Sequence, residues 1–128
     1  MHFSNAKILV VEDDPLMRTF TTNMLTRIGI GHLKECTDGT TALREVPKFQ
    51  PDLIVTDIHM KPMGGLEFVK KLSQLNRTDG GQFKVILMSA DSSRETLSEA
   101  LPLGVYAYIV KPPRISDLKS KIESALRD

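Results

Sequence analysis

Apolar residues in this chain come in short unbroken runs, separated by longer stretches where they recur every three or four positions. The runs are Ala6–Val11, Leu53–Val55, Val85–Met88 and Val105–Val110. They are rich in Val and Ile and lack polar alternation, which predicts strands buried on both faces of a parallel sheet. His32–Cys36 is more polar and predicts an edge strand. The stretches between them read as helices. Met17, Phe20, Met24 and Ile28 form one stripe, with Pro15 suited to its first turn and Gly29 and Gly31 to its stop. Ala42, Leu43 and Val46 mark a shorter helix that Pro47 is expected to end. Phe68, Val69, Leu72 and Leu75 mark a third. Leu97, Ala100 and Leu101 mark a fourth, with Ser92 or Ser93 as its N-cap and Pro102 and Gly104 as its stop. Ile115, Leu118, Ile122 and Leu126 mark a fifth, capped by Ser116. Five strands alternating with five helices through right-handed crossovers demand an α/β fold, an open parallel sheet with helices on both faces.

The pattern occupies all 128 residues, so 1–128 reads as one domain, with Thr78-Asp79-Gly80-Gly81 as a turn rather than a boundary. Seventeen Lys and Arg against sixteen Asp and Glu leave a net charge of +1, which gives no electrostatic case for direct nucleic-acid binding. The single Cys36 excludes an intrachain disulfide framework and fits a reducing, cytoplasmic location. No signal peptide is visible near Met1. The longest mostly apolar stretch, Leu101–Val110, is broken by Pro102 and Gly104, so no membrane insertion is expected.

The chemistry lies just past the strands. Glu12, Asp13 and Asp14 follow the first, Asp57 closes the third, Ser89 the fourth, and Lys111 the fifth. In open α/β sheets the carboxyl edge is where sites form, so these groups converge. Glu12, Asp13 and Asp57 brought together repel, and at least one pKa should rise unless a cation relieves them. A hard divalent ion such as Mg²⁺ suits such oxygen donors. Lys111 can pair with Asp57 or with a phosphoryl oxygen, and Ser89 can donate a hydrogen bond to the same oxygen. A carboxylate nucleophile beside Mg²⁺, a lysine and a hydroxyl is equipped for phosphoryl transfer through an aspartyl phosphate.

With Glu12-Asp13, Ile54-Val55-Thr56-Asp57, Met63 and Gly65, Ser89-Ala90 and Lys111-Pro112 in this order, the chain resembles the response-regulator receiver domain, the CheY-like module of two-component signalling. The resemblance spans essentially the whole chain. It implies a flavodoxin-like (βα)5 three-layer sandwich with strand order 2-1-3-4-5, an order that the spacing alone does not supply. It implies that Asp57 is the phosphoacceptor for a histidine kinase or histidine phosphotransfer protein. Asp13 and Asp57 would ligate Mg²⁺, Glu12 largely through water, with the backbone carbonyl of His59 completing the shell. Lys111, Ser89 and the Ala90 amide would hold phosphoryl oxygens. Tyr108 would be the switch aromatic that moves inward when Ser89 swings toward the phosphoryl group. Such a module catalyses its own phosphorylation and dephosphorylation and is otherwise no enzyme. Its output would be a protein contact through the fourth helix, fifth strand and fifth helix. Either it is a single-domain regulator, with no effector after Asp128, or it is a receiver cut from a longer one.

Simpler roles compete at several positions. Asp14 reads as a helix-start residue rather than a ligand. Ser89, Lys111 and Tyr108 taken singly read as a turn residue, a surface charge and a core aromatic. Cys36 reads as a buried strand residue. The His59 side chain completes no transition-metal set and reads as lining the mouth of the site, where it would tune phosphorylation and hydrolysis. Met60-Lys61-Pro62-Met63, Gly64, Lys84 and Tyr106 depart from the usual family pattern without removing a site group. Among other functions, a haloacid-dehalogenase-like aspartyl phosphatase would require an acid two residues after Asp57, where His59 stands. A flavodoxin-like cofactor carrier would require a phosphate-cradling loop where Glu12-Asp13-Asp14 would repel phosphate.

Overall fold

The computed structural model describes residues 1–90 and 98–127. Five strands, β1 (Lys7–Val11), β2 (His32–Cys36), β3 (Leu53–Asp57), β4 (Val85–Ser89) and β5 (Ala107–Val110), form one sheet of order β2-β1-β3-β4-β5. Every pairing is parallel. The helices are α1 (Pro15–Ile28), α2 (Gly39–Phe49), α3 (Gly65–Leu72), α4 (residues 98–100) and α5 (Ile115–Arg127). The expected Leu97 and the proposed caps Ser92 and Ser93 lie outside the described residues.

Strand pleating explains the three layers. Leu9, Val11, Ile54, Val85 and Leu87 point to one side, where they pack with Ala42 and Val46 of α2, Phe68, Val69 and Leu72 of α3, and Ala100. The alternate residues Ile8, Val10, Leu53, Val55, Ile86 and Met88 point the other way, onto Met24 and Leu25 of α1 and Leu118, Ile122 and Leu126 of α5. β3 and β4 are buried along their whole length, whereas β2 keeps the half-polar character of an edge.

The helix ends follow local chemistry. Asp14 caps α1 by accepting the Leu16 N–H at 3.0 Å, and Pro15 opens the first turn. Gly29 closes α1 at φ 108°, a left-handed conformation that favours glycine. Gly31 has a different task from the expected stop. A Cβ there would lie 1.7 Å from the Ser4 carbonyl oxygen, so the glycine lets the N-terminal segment lie against the α1–β2 turn.

Four expected boundaries shift. Pro47 does not end α2. It sits exposed in the last turn, forfeits one helical hydrogen bond, and the helix closes at Gln50, whose N–H reaches the Val46 carbonyl at 2.9 Å. Ser116 is not the cap of α5, because the Leu118 N–H bonds the Arg114 carbonyl at 3.0 Å and already puts Ser116 inside the first turn. α3 ends at Leu72, short of Leu75, and β5 begins at Ala107 rather than Val105. Leu75, Val105 and Tyr108 nevertheless pack partly buried against the core beneath α2 and α3.

Candidate functional site

Parallel pairing lines up the carboxyl ends of the strands. Val11 is level with Cys36 and Thr56, Asp57 with Met88, and Ser89 with Val110. The loops that follow therefore open on one edge of the sheet. The β1–α1 loop supplies Glu12 and Asp13, β3 supplies Asp57, β4 supplies Ser89 and the loop after β5 supplies Lys111.

Glu12, Asp13 and Asp57 each place a carboxylate oxygen within 4.8 Å of the others. Glu12 and Asp57 are buried, at 1% and 6% exposure, while Asp13 faces solvent. The Lys111 ammonium lies between the two buried acids, 2.7 Å from Glu12 Oε1 and 3.0 Å from Asp57 Oδ2. Glu12 Oε2 also accepts the Asp14 N–H at 3.2 Å. The Lys111 N–H donates to the Ser89 carbonyl at 2.7 Å, which fixes the root of the lysine to the end of β4. The Lys111–Pro112 peptide is cis.

The expected rise in pKa falls on Glu12. Burial, joined by the Asp57 charge, pushes its pKa up, against the opposing pull of Lys111 and the Asp14 amide. For Lys111, burial works to lower the pKa, but hydrogen bonds and charge from Glu12 and Asp57 outweigh it, and the net direction is up. The cluster thus holds the lysine charged while its acids crowd one another. Three hard oxygen donors with one face open to water suit a divalent cation such as Mg²⁺, which keeps several waters and takes few carboxylates.

The α3 side closes the site by close backbone approach. A Cβ on Gly65 would lie 2.1 Å from the Asp57 carbonyl oxygen, and the Gly65 N–H bonds the Ile58 carbonyl at 2.7 Å. Glycine at this position lets α3 start directly beneath the acidic residue. Gly64 serves as N-cap without a side-chain bond, as its lack of a side chain requires.

Of the remaining expected residues, Ser89 is fully buried at the end of β4, and Ala90 and His59 are exposed beside the crevice. Tyr108 is partly buried, on the same core as α2 and α3. Asp14 stands apart as a helix cap. Cys36 is a buried strand residue whose thiol pKa burial pushes up to about 11. The sequence signalled Lys111 as a partner of Asp57 but not of Glu12, which lies 99 positions away. Arg18 was missed altogether. Its guanidinium donates to the Glu12 carbonyl at 2.9 Å and lies 3.4 Å from Glu35 on β2. Its place one turn into a helix that begins beside the acids is the only advance signal.

The model of the response regulator receiver domain family matches residues 8–123. The chemotaxis protein CheY-3 of Vibrio cholerae is 35% identical over 119 residues, 93% of this chain and 90% of that protein. The two-component response regulator PhoP of Pseudomonas aeruginosa is 32% identical over 94% of this chain, which spans 52% of PhoP. A crystal structure of Vibrio cholerae chemotaxis protein CheY4, grown at pH 4.0, superposes with a TM-score of 0.84 at 27% identity, over 94% of this chain and 98% of that one. These matches give no support to a haloacid-dehalogenase-like phosphatase.

Proposed function

This chain belongs to the response regulator receiver domain family, and from that premise we propose that it accepts a phosphoryl group on Asp57 from a histidine kinase or histidine phosphotransfer protein. The observation that carries the reading is the Lys111 ammonium held between buried Glu12 and Asp57, with Asp13 completing an acidic triad open to solvent. An Asp57 oxygen attacks phosphorus as the bond to the donor imidazole nitrogen breaks. The imidazole leaves with the electron pair and ends protonated, and Asp57 becomes an acyl phosphate. Glu12, Asp13, Asp57 and the His59 carbonyl would hold Mg²⁺, which when bound supplies positive charge against the developing phosphoryl oxygens. Lys111 exchanges a carboxylate oxygen for a phosphoryl oxygen. Ser89 and the Ala90 amide donate to the others, and the His59 side chain governs access of water for hydrolysis. The chain would thereby catalyse its own phosphorylation and dephosphorylation.

The switch follows from the same movement. As Ser89 turns to the phosphoryl group, Tyr108 moves inward, and the surface of α4, β5 and α5 changes for an output protein or effector domain. A cytoplasmic location is consistent with a buried free Cys36 and with no helix, among the described residues, long and apolar enough to cross a membrane. Incubation with acetyl phosphate and Mg²⁺ is expected to add about 80 Da, one phosphoryl group. Asp57→Asn should remove the addition, and an undiminished gain of mass in that variant would refute the assignment.

A further inference from the structure

The four polar groups of Glu12 are all engaged. Its N–H donates to the Cys36 carbonyl at 3.0 Å, its carbonyl accepts from Arg18 Nη1 at 2.9 Å, and its two carboxylate oxygens bind Lys111 at 2.7 Å and the Asp14 N–H at 3.2 Å. Asp13, by contrast, is exposed and follows Glu12 through the very peptide whose carbonyl Arg18 holds. The place of its carboxylate in the triad depends on the orientation of that peptide.

Arg18 is itself fixed. Its own N–H closes the first turn of α1 on the Asp14 carbonyl at 2.9 Å. Its Nε lies 3.4 Å from Glu35 on the edge strand β2, where Glu35 is level with Val10. A guanidinium is a planar fork whose donors point in set directions, so one nitrogen can face Glu35 while another faces the Glu12 carbonyl. The pairing with Glu35 also gives the guanidinium an anionic partner on the edge strand β2.

We propose that Arg18 is a positioning residue, one that orients the Asp13 carboxylate for the divalent cation by clamping the Glu12–Asp13 peptide between α1 and β2. The inference rests on the metal role proposed above for Asp13. Its chemistry is that of an outer partner holding a metal ligand, whose removal typically weakens metal binding 10–100-fold. Since one peptide is held here rather than the ligand atom itself, an effect of about tenfold is expected.

The test is a double-mutant cycle read by Mg²⁺ affinity of the unphosphorylated chain in isothermal titration calorimetry, with the melting temperature as a fold control. Arg18→Ala should weaken Mg²⁺ about tenfold, the lower end of the range for such partners. Arg18→Lys, which keeps a donor for the Glu12 carbonyl, should recover most of the affinity and guards against a folding defect in the alanine variant. In an Asp13→Ala background, Arg18→Ala should have no further effect, because the group it positions is gone. Equal losses in both backgrounds, or unchanged affinity in Arg18→Ala, would overturn the proposal. If Asp13→Ala alone leaves Mg²⁺ binding unchanged, the failure lies with the metal reading of the site and the clamp falls with it.

Discussion

The two ends of the sheet each hold a cation between two carboxylates, and they use it differently. At the amino end, the Arg77 guanidinium bonds the Pro51 carbonyl, lies 3.4 Å from Asp52 and 3.3 Å from Asp79, and covers the Phe83 ring at 5.8 Å. Its N–H and carbonyl close the following turn on Gly81 and Gly80, and the Thr78 N–H bonds Gln50. Asp79 is 66% exposed, so water shares the charge. At the carboxyl end, the side chains of the acids beside Lys111 are both buried, and one ammonium serves both. A planar fork spread over carbonyl, carboxylates and ring makes a staple. A point charge on a flexible stem between acids that repel each other makes a contact ready to be exchanged.

Substituting the two cations separates the roles. Lys111→Met leaves two crowded acids without their counter-charge and should lower folding stability by about 2–3 kcal/mol at neutral pH, below the ~3–5 kcal/mol of a fully buried broken pair because Glu12 can take up a proton. The pH dependence carries a definite sign. Glu12 has a folded pKa above its ordinary 4.5, so it favours the folded state most at and below that pH and loses this contribution as pH rises through the raised value. Without Lys111 the pKa rises further, so the deficit of the variant should shrink as pH falls from 7 toward 5, measured by urea unfolding. A deficit independent of pH would contradict the crowding. The phosphorylated variant should also fail to shift the Tyr108 resonances.

Arg77→Met should cost about 1–3 kcal/mol, through the Pro51 carbonyl left without its donor more than through the exposed ion pairs. Phosphoryl acceptance should stay at the wild-type rate, because the clamp is at the opposite end of the sheet. A variant slowed in acceptance at unchanged fold would erase the contrast between the ends.

Two smaller effects probe the layers between them. The Thr21 hydroxyl is fully buried in α1 with no hydrogen-bond partner among the described residues. Thr21→Val should therefore raise stability by about 1 kcal/mol, seen as a higher melting temperature. Cys36, with its thiol pKa pushed up to about 11, should resist alkylation by iodoacetamide at pH 8 in the folded chain and react once urea unfolds it.

How much of this was legible in the sequence depends on whether a residue acts through its neighbours in the chain or across the fold. β3 and β4 could be read because burial on both faces leaves an unbroken apolar run. The acids and Lys111 could be placed because parallel strands bring their carboxyl ends to one edge. Pro47 misled because the cost of a proline depends on where in the last turn it falls. Ser116 misled because a cap is defined by which carbonyl closes the turn. The pairing of Glu12 with Lys111, the reach of Arg18 to Glu12 and Glu35, and the grip of Arg77 on Pro51 and Asp52 leave no periodicity. They arise from side chains meeting after the layers have assembled.

In the proposed reaction the buried acid beside Lys111, and not an acid paired at the opposite end, carries the phosphoryl group. After phosphorylation with acetyl phosphate and Mg²⁺, borohydride reduction converts an acyl phosphate to an alcohol and so turns a phosphorylated aspartate into homoserine. Peptide sequencing by mass spectrometry is expected to find homoserine at position 57 alone. Homoserine at position 52, 79 or 13, with Asp57 intact, would rule out Asp57 as the acceptor.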